Sequence, residues 1–204
     1  MIKISSKDIQ EASEKFETFL KDVVENYLKS ELCVYRPDDK KLATKHGFKC
    51  LGAGCYRVAF KYKNVVLKTH LHTGSKRDIT NEKNIWNKHK HSLTSAIINP
   101  VLFCKTLTFK KCDIAYSVSP YVKTHDGAKK IDKHKNYTKL LRVVSNAIYD
   151  GHTGNIGILN KLPILIDYQE GSVKFDTYGL SNNDVSAFKR QRMSIITLVK
   201  KATA

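Results

Sequence analysis

The segment Asp150-Gly151-His152-Thr153-Gly154-Asn155-Ile156 holds three polar side chains in a D-x-H-x-x-N spacing, between a helical pattern and an extended one. A carboxylate such as Asp150 can orient or deprotonate an attacking hydroxyl. Asn155 offers a neutral oxygen ligand to a magnesium ion. Asp167 ends the apolar run Pro163-Ile164-Leu165-Ile166, and an ionisable group that caps a buried strand makes a good metal carboxylate. Phosphoryl transfer needs these parts: positioning, a metal clamp and a group on the nucleophile. Asp and Asn also occupy ordinary turns, so the assignment depends on what accompanies them.

Three features upstream do so. Gly52-Ala53-Gly54 lies between two candidate strands, where glycines let the backbone approach a phosphate and aim N–H groups at it. Taken alone it also reads as a hairpin. No G-K-[ST] follows, which disfavours a P-loop, and a strand follows in place of a helix, which disfavours a dinucleotide site. Lys68 ends the apolar run Val65-Val66-Leu67 and is placed to neutralise phosphate charge, although most strand lysines stay in solvent. Glu82 shares a helical stripe with Ile79 and Trp86. A carboxylate on an apolar stripe requires a cation, and Lys68 is the expected partner, with Asp78 as a rival for the same lysine.

The elements that must position these residues follow from periodicity. A helix is expected from about Ser6 to Ser30, with Ile9, Ala12, Phe16, Phe19, Val23 and Tyr27 inward and Ser5 and Asp8 as a capping box. Arg36-Pro37-Asp38-Asp39 reads as a turn. Strands are expected at 48–51, 58–62 and 65–68, with Lys63-Asn64 as a turn. A helix over 78–91, strands over 97–109 and 114–121, and a helix over 137–149 come next. Two short strands at 156–159 and 163–166 and a basic amphipathic helix over 183–201 complete an α+β chain. The expected divisions are an N-terminal helical extension over 1–46, a β-rich part over 47–122 and a helix-rich part over 123–204. No internal repeat or low-complexity tract interrupts them.

Bulk properties bound the possibilities. The 204 residues suffice for a sizeable core, and 41% hydrophobic composition fits a globular chain. No apolar run approaches a membrane span. Met1 to Ser6 lacks the pattern of a signal peptide. Five cysteines without a C-x-x-C pair fit a reduced, cytoplasmic setting. The net charge of +17 favours an acidic partner. The basic residues are scattered in pairs such as Lys110-Lys111 and Lys129-Lys130 without interleaved aromatics, so nucleic acid is not the favoured partner. His70, His72, His89 and His91 fit no standard zinc spacing.

With these residues in this order, the chain resembles the protein-kinase-like superfamily from about Phe48 to Asp167. The G-F-K-x-L-G-x-G pattern of Gly47 to Gly54 and the H-x-G-N-I of His152 to Ile156 resemble, more narrowly, the early-expressed serine/threonine kinases of tailed phages. The resemblance implies a minimal bilobal fold with a shortened helical C-lobe and an extra N-terminal helix. It implies ATP and Mg2+ as cofactors, and host proteins as substrates in a host cytoplasm. By residue, it implies Gly52, Ala53 and Gly54 as the phosphate loop, Lys68 with Glu82 on the ATP phosphates, and Tyr121 and Val122 near the adenine. It further implies Asp150 as the catalytic aspartate with His152 beside it, and Asn155 and Asp167 on the metal.

Departures from the family pattern are plain. Ile148 replaces the histidine of H-R-D, and His152 stands where protein kinases have a lysine, as in aminoglycoside- and choline-kinase-like enzymes. Tyr168-Gln169 follow Asp167 in place of Phe-Gly, and no A-P-E follows. Two further readings therefore stand beside a serine/threonine protein kinase. One is a catalytically degenerate kinase fold that binds and inhibits a host or defence factor. The other is a small-molecule phosphotransferase.

Overall fold

The computed structural model describes residues 3–27, 40–54, 56–71, 76–110, 112–124, 155–160, 162–168 and 180–204. The expected helix at 137–149, together with Asp150 and His152, lies outside the described residues.

Helix α1 (Ser6–Tyr27) starts where the capping pattern places it. The Ser5 N–H donates to Asp8 Oδ2 at 2.9 Å and the Asp8 N–H donates to Ser5 Oγ at 3.2 Å, a reciprocal pair that satisfies two N-terminal donors. Its apolar face is closed off from water: Ala12, Phe16, Phe19, Leu20 and Val23 are all buried. Helix α2 (Lys40–Lys45) is not expected from the sequence, because six residues are too few to show a period. It ends at Gly47, whose φ of 82° suits a residue without Cβ. The Phe48 N–H donates to Ala43 O and the Gly47 N–H to Thr44 O, so the helix's last carbonyls are satisfied as the chain turns.

The strands β1 (Lys49–Ala53), β2 (Arg57–Tyr62), β3 (Val65–His70), β4 (Phe103–Thr108) and β5 (Asp113–Pro120) form one antiparallel sheet in the order β1-β2-β3-β5-β4. Every residue of β3 is buried, as its central position requires, whereas edge strand β1 is mostly exposed. The aromatic rings of Phe16, Phe19, Phe48, Phe60 and Tyr116 interlock, with Phe16 within 5.3–5.6 Å of each of the other four ring centroids. This cluster joins α1 to the sheet. Polar ties surround it: Tyr116 Oη donates to Glu17 Oε1 at 2.6 Å, and Tyr62 Oη donates to Glu11 Oε1 at 2.5 Å. Burial first, and then the Glu17 carboxylate, hold the Tyr116 phenol well above the usual tyrosine range.

Two of the ties around α1 respond to pH. Hydrogen bonds from Lys63 and then Tyr62 hold the Glu11 carboxyl below its ordinary value, and Ser5 does the same for Asp8. Carboxyls depressed in the fold stabilise it above the ordinary value of 4.5 for glutamate, and that contribution is lost as the pH falls through the depressed values. The protection of the α1 amides, corrected for their intrinsic exchange rates, should therefore fall as the pH is lowered from about 5 to about 3. Glu11→Gln should remove part of that pH dependence.

Helix α3 (Lys76–His89) buries the expected stripe of Ile79, Glu82 and Trp86, with Ile85 beside it. A 3-10 turn at Leu93–Ala96 follows. The single strand expected over 97–109 is divided in two. Pro100 lacks an N–H, and the residues on either side of it pair with different sheets. Ile98 bridges Leu165 in parallel fashion, while β4 begins at Phe103.

The described residues divide into two compact units, and the chain passes between them at 83/84, 100/101, 121/122 and 200/201. One unit holds α1, α2, the five-stranded sheet and the first part of α3. The other holds the rest of α3 and the residues up to Pro100, the hairpin of β6 (Ile156–Leu159) and β7 (Leu162–Leu165), and nearly all of α4 (Asn182–Thr203). Helix α4 repeats the cap of α1, with Ser181 and Asp184 bonded reciprocally. It buries Phe188, Ile195 and Leu198, and Gln191 Nε2 donates to Ala96 O at 2.8 Å.

Gly157, in the second unit, is closely walled in. A Cβ there would lie 2.5 Å from Val122 Cγ1, 3.1 Å from Lys123 O and 3.2 Å from Ile166 Cγ2. Backbone stands on one side and branched side chains on the others, so the methyl of Gly157→Ala has no room. Such overpacking costs about 1–3 kcal/mol, and a urea melt of the variant should show it. A cost near zero would mean that Val122 moves aside freely.

Candidate functional site

The turn after β1 is shaped by its glycines. The register of β1 against β2 slips between Cys50 and Gly52, and the Gly54 N–H donates to Arg57 O at 2.8 Å. A glycine at a strand irregularity is where a backbone bends and leaves its face open. Gly52 and Ala53 close β1, and Gly54 leads into β2.

Lys68 lies in the middle of the sheet, opposite Ala59 of β2 and Ser117 of β5. Its Nζ donates to Glu82 Oε1 at 2.8 Å. The lysine side chain is 10% exposed and the glutamate 1%. The expected pair therefore exists, formed by a strand and the buried stripe of α3. Arg57 is an addition that the sequence does not announce. Its Nη1 donates to the same Glu82 Oε1 at 2.8 Å, and its side chain is 11% exposed. The reason lies in strand register: Ala59 pairs with Lys68, so Arg57, two residues earlier, lies on the same sheet face as the lysine. Glu82 thus receives two cations, as a buried carboxylate with several lone-pair sites can. His70, further along that face, is also buried, and its Nε2 accepts the Ala115 N–H at 3.0 Å. That bond leaves the ring's proton on the other nitrogen.

In the second unit the β6–β7 hairpin brings Asn155 and Asp167 to one end. Ile156 pairs with Leu165, and the Ile166 N–H donates to Asn155 O at 2.8 Å. The two residues thus flank the open end of the hairpin. Amide and carboxylate oxygens are both donors that magnesium accepts. Tyr168 is buried, and its hydroxyl donates to Asn99 O at 2.8 Å. The Asn99 N–H donates to Leu165 O, and the Leu165 N–H to Ile97 O. The strand leading to Asp167 is thereby laced to 97–99 along one edge, with β6 on the other.

Tyr121 belongs to the sheet unit, with its N–H on Asn64 O and its ring under Lys61 Nζ, 3.9 Å from the centroid. Val122 belongs to the second unit and is buried against Gly157. Asp150 and His152 lie outside the described residues.

No protein-family model matches the chain, and no curated protein matches it. Among solved structures it is similar to a MAP kinase from Leishmania major, at 17% identity and a TM-score of 0.33, over 59% of this chain and 44% of that chain. The chain thus matches less than half the length of that kinase. A likeness at this level leaves the case to the geometry. The five-stranded antiparallel sheet, with α3 inserted between β3 and β4, is compatible with the β-rich lobe of an α+β kinase-like fold. No helix among the described residues is long and apolar enough to cross a membrane.

Proposed function

We propose that the chain is an ATP- and magnesium-dependent phosphotransferase of the protein-kinase-like kind, directed at serine and threonine hydroxyls of proteins. The observation that carries this reading is the buried Lys68–Glu82 pair on β3 and α3 of the sheet whose first hairpin contains Gly52-Ala53-Gly54. A desolvated ion pair is seldom kept for stability alone. Holding an ammonium in place for phosphate oxygens gives it a use. In this reading the N–H groups of Gly52 to Gly54 face the phosphates, and Tyr121 and Val122 line the adenine. Asn155 and Asp167 hold the magnesium, which when bound offsets the charge of the transferred phosphoryl group. Asp150 takes the proton of the attacking hydroxyl, and His152 lies next to the transferred group. A phage origin and host proteins as substrates rest on the motifs at Gly47–Gly54 and His152–Ile156 alone.

Incubation with labelled ATP, magnesium and a host-cell extract tests the reading. Label should enter protein and disappear in Asp150→Ala, and ATP with magnesium should raise the melting temperature. Label on a small molecule and never on protein would favour the small-molecule phosphotransferase. Neither label nor a nucleotide-induced shift would sink both enzyme readings. The degenerate, partner-binding reading would then stand. Its structural support is Arg57, which shares Glu82 with Lys68, together with the buried Tyr168 beside Asp167.

A further inference from the structure

Two stretches of the chain lack acidic residues. From Lys83 to Cys112 the sequence contains no Asp or Glu, and none follows Asp184. The structure joins parts of these two acid-free stretches. Arg192 of α4 donates from Nε to Ser92 O at 3.1 Å and from Nη2 to His91 O at 3.0 Å. Gln191 beside it reaches Ala96 O. The outer face of α4 is thereby set next to the end of α3, where Lys88 and Lys90 are exposed.

The buried residues Phe188, Gln191, Ile195 and Leu198 define the inner face of α4. Opposite them, Lys189, Met193 and Lys200 recur at helical spacing, with Arg190 beside them. Met193 is 57% exposed, and the other large apolar side chains exposed among the described residues, Leu51 and Tyr56, belong to the sheet unit. Methionine adapts to apolar partners of varied shape, and the lysines around it select negative charge.

We infer that the outer face of α4 with the end of α3 is a docking surface for an acidic protein segment. The segment would place carboxylates on Lys88, Lys90, Lys189 and Lys200 and an apolar side chain on Met193. Two other polyanions fit less well. Single-stranded nucleic acid is gripped by stacking on aromatic rings, and α4 exposes none. A membrane surface takes up the apolar face of an amphipathic helix, and here that face is already packed inside the protein. The surface does not depend on the phosphoryl-transfer reading, because it involves none of those residues.

The test uses the full chain and a fluorescein-labelled peptide of Glu, Asp and regularly spaced Leu, read by fluorescence anisotropy. Lys88→Glu/Lys189→Glu should weaken binding about tenfold or more. Met193→Ser should weaken it roughly threefold, through lost apolar contact. Lys7→Glu/Lys49→Glu changes the net charge equally on exposed residues of the sheet unit, and should change the affinity by less than about twofold. Equal losses from the two double variants would overturn the inference, since the peptide would then be sensing only net charge. So would a labelled oligonucleotide, or vesicles of phosphatidylserine and phosphatidylcholine, that bind more tightly than the peptide and lose that binding in Lys88→Glu/Lys189→Glu.

Discussion

Glu82→Ala is expected to lower the stability of the protein by about 3–5 kcal/mol, the largest effect of any single charge removal in the described residues. The cause is what the substitution leaves behind. Lys68 and Arg57 both donate to Glu82 Oε1, and both side chains are about nine-tenths buried. Without the carboxylate, two cations in a poorly hydrated site lose the counter-charge they share, and taking a counter-charge away from a buried cation is strongly unfavourable. Trp86 is the chain's only tryptophan and lies on the same stripe of α3, so its fluorescence in a urea titration reports the loss directly. Replacing all three partners by apolar residues of similar size should recover much of the stability, because the desolvation cost of the charges goes with them. A cost below about 1 kcal/mol for Glu82→Ala would place the cluster in solvent-screened surroundings and remove the main support for the proposed function.

Phe16→Ala is expected to cost about 3–5 kcal/mol. Phe16 is completely buried and touches the rings of Phe19, Phe48, Phe60 and Tyr116, so the truncated side chain leaves a cavity walled by rigid aromatics that collapse poorly. The edge-on and tilted contacts add specific attraction to the buried area. Phe16→Leu keeps most of the volume and should cost clearly less. The comparison by chemical denaturation separates filling from ring geometry. If Phe16→Ala melts as the native chain does, α1 is an appendage and not part of the sheet's core.

Several of these features are legible in the sequence. The α1 face is readable because Ile9, Ala12, Phe16, Phe19 and Val23 repeat at the helical period, and Ser5 with Asp8 marks its start. Glu82 is readable for a related reason: a carboxylate on the Ile79–Trp86 stripe has to be buried, and a buried carboxylate needs a cation. Other features are hidden because they depend on register or on distant neighbours. Arg57 reaches Glu82 only because β2 pairs with β3 so that Ala59 faces Lys68. The run over 97–109 reads as one strand because hydrophobicity does not say which sheet a segment joins. Pro100 and the pairing of Ile98 with Leu165 decide that. Gly157 reads as any loop-side glycine, and only the fold closes Val122, Lys123 and Ile166 around it.

Local pattern by itself determined where α1 begins, which faces of α1 and α3 are apolar, and that Glu82 has to be buried against a cation. Such properties depend on near neighbours along the chain, and periodicity records them. The tertiary structure alone decided that Lys68 shares its carboxylate with Arg57, that Asn155 and Asp167 flank one end of a hairpin, and that Arg192 joins two acid-free stretches into one surface. Each of these is a meeting of residues far apart in sequence. Strand register and packing against backbone carbonyls set such meetings, and neither leaves a mark on the local order of residues.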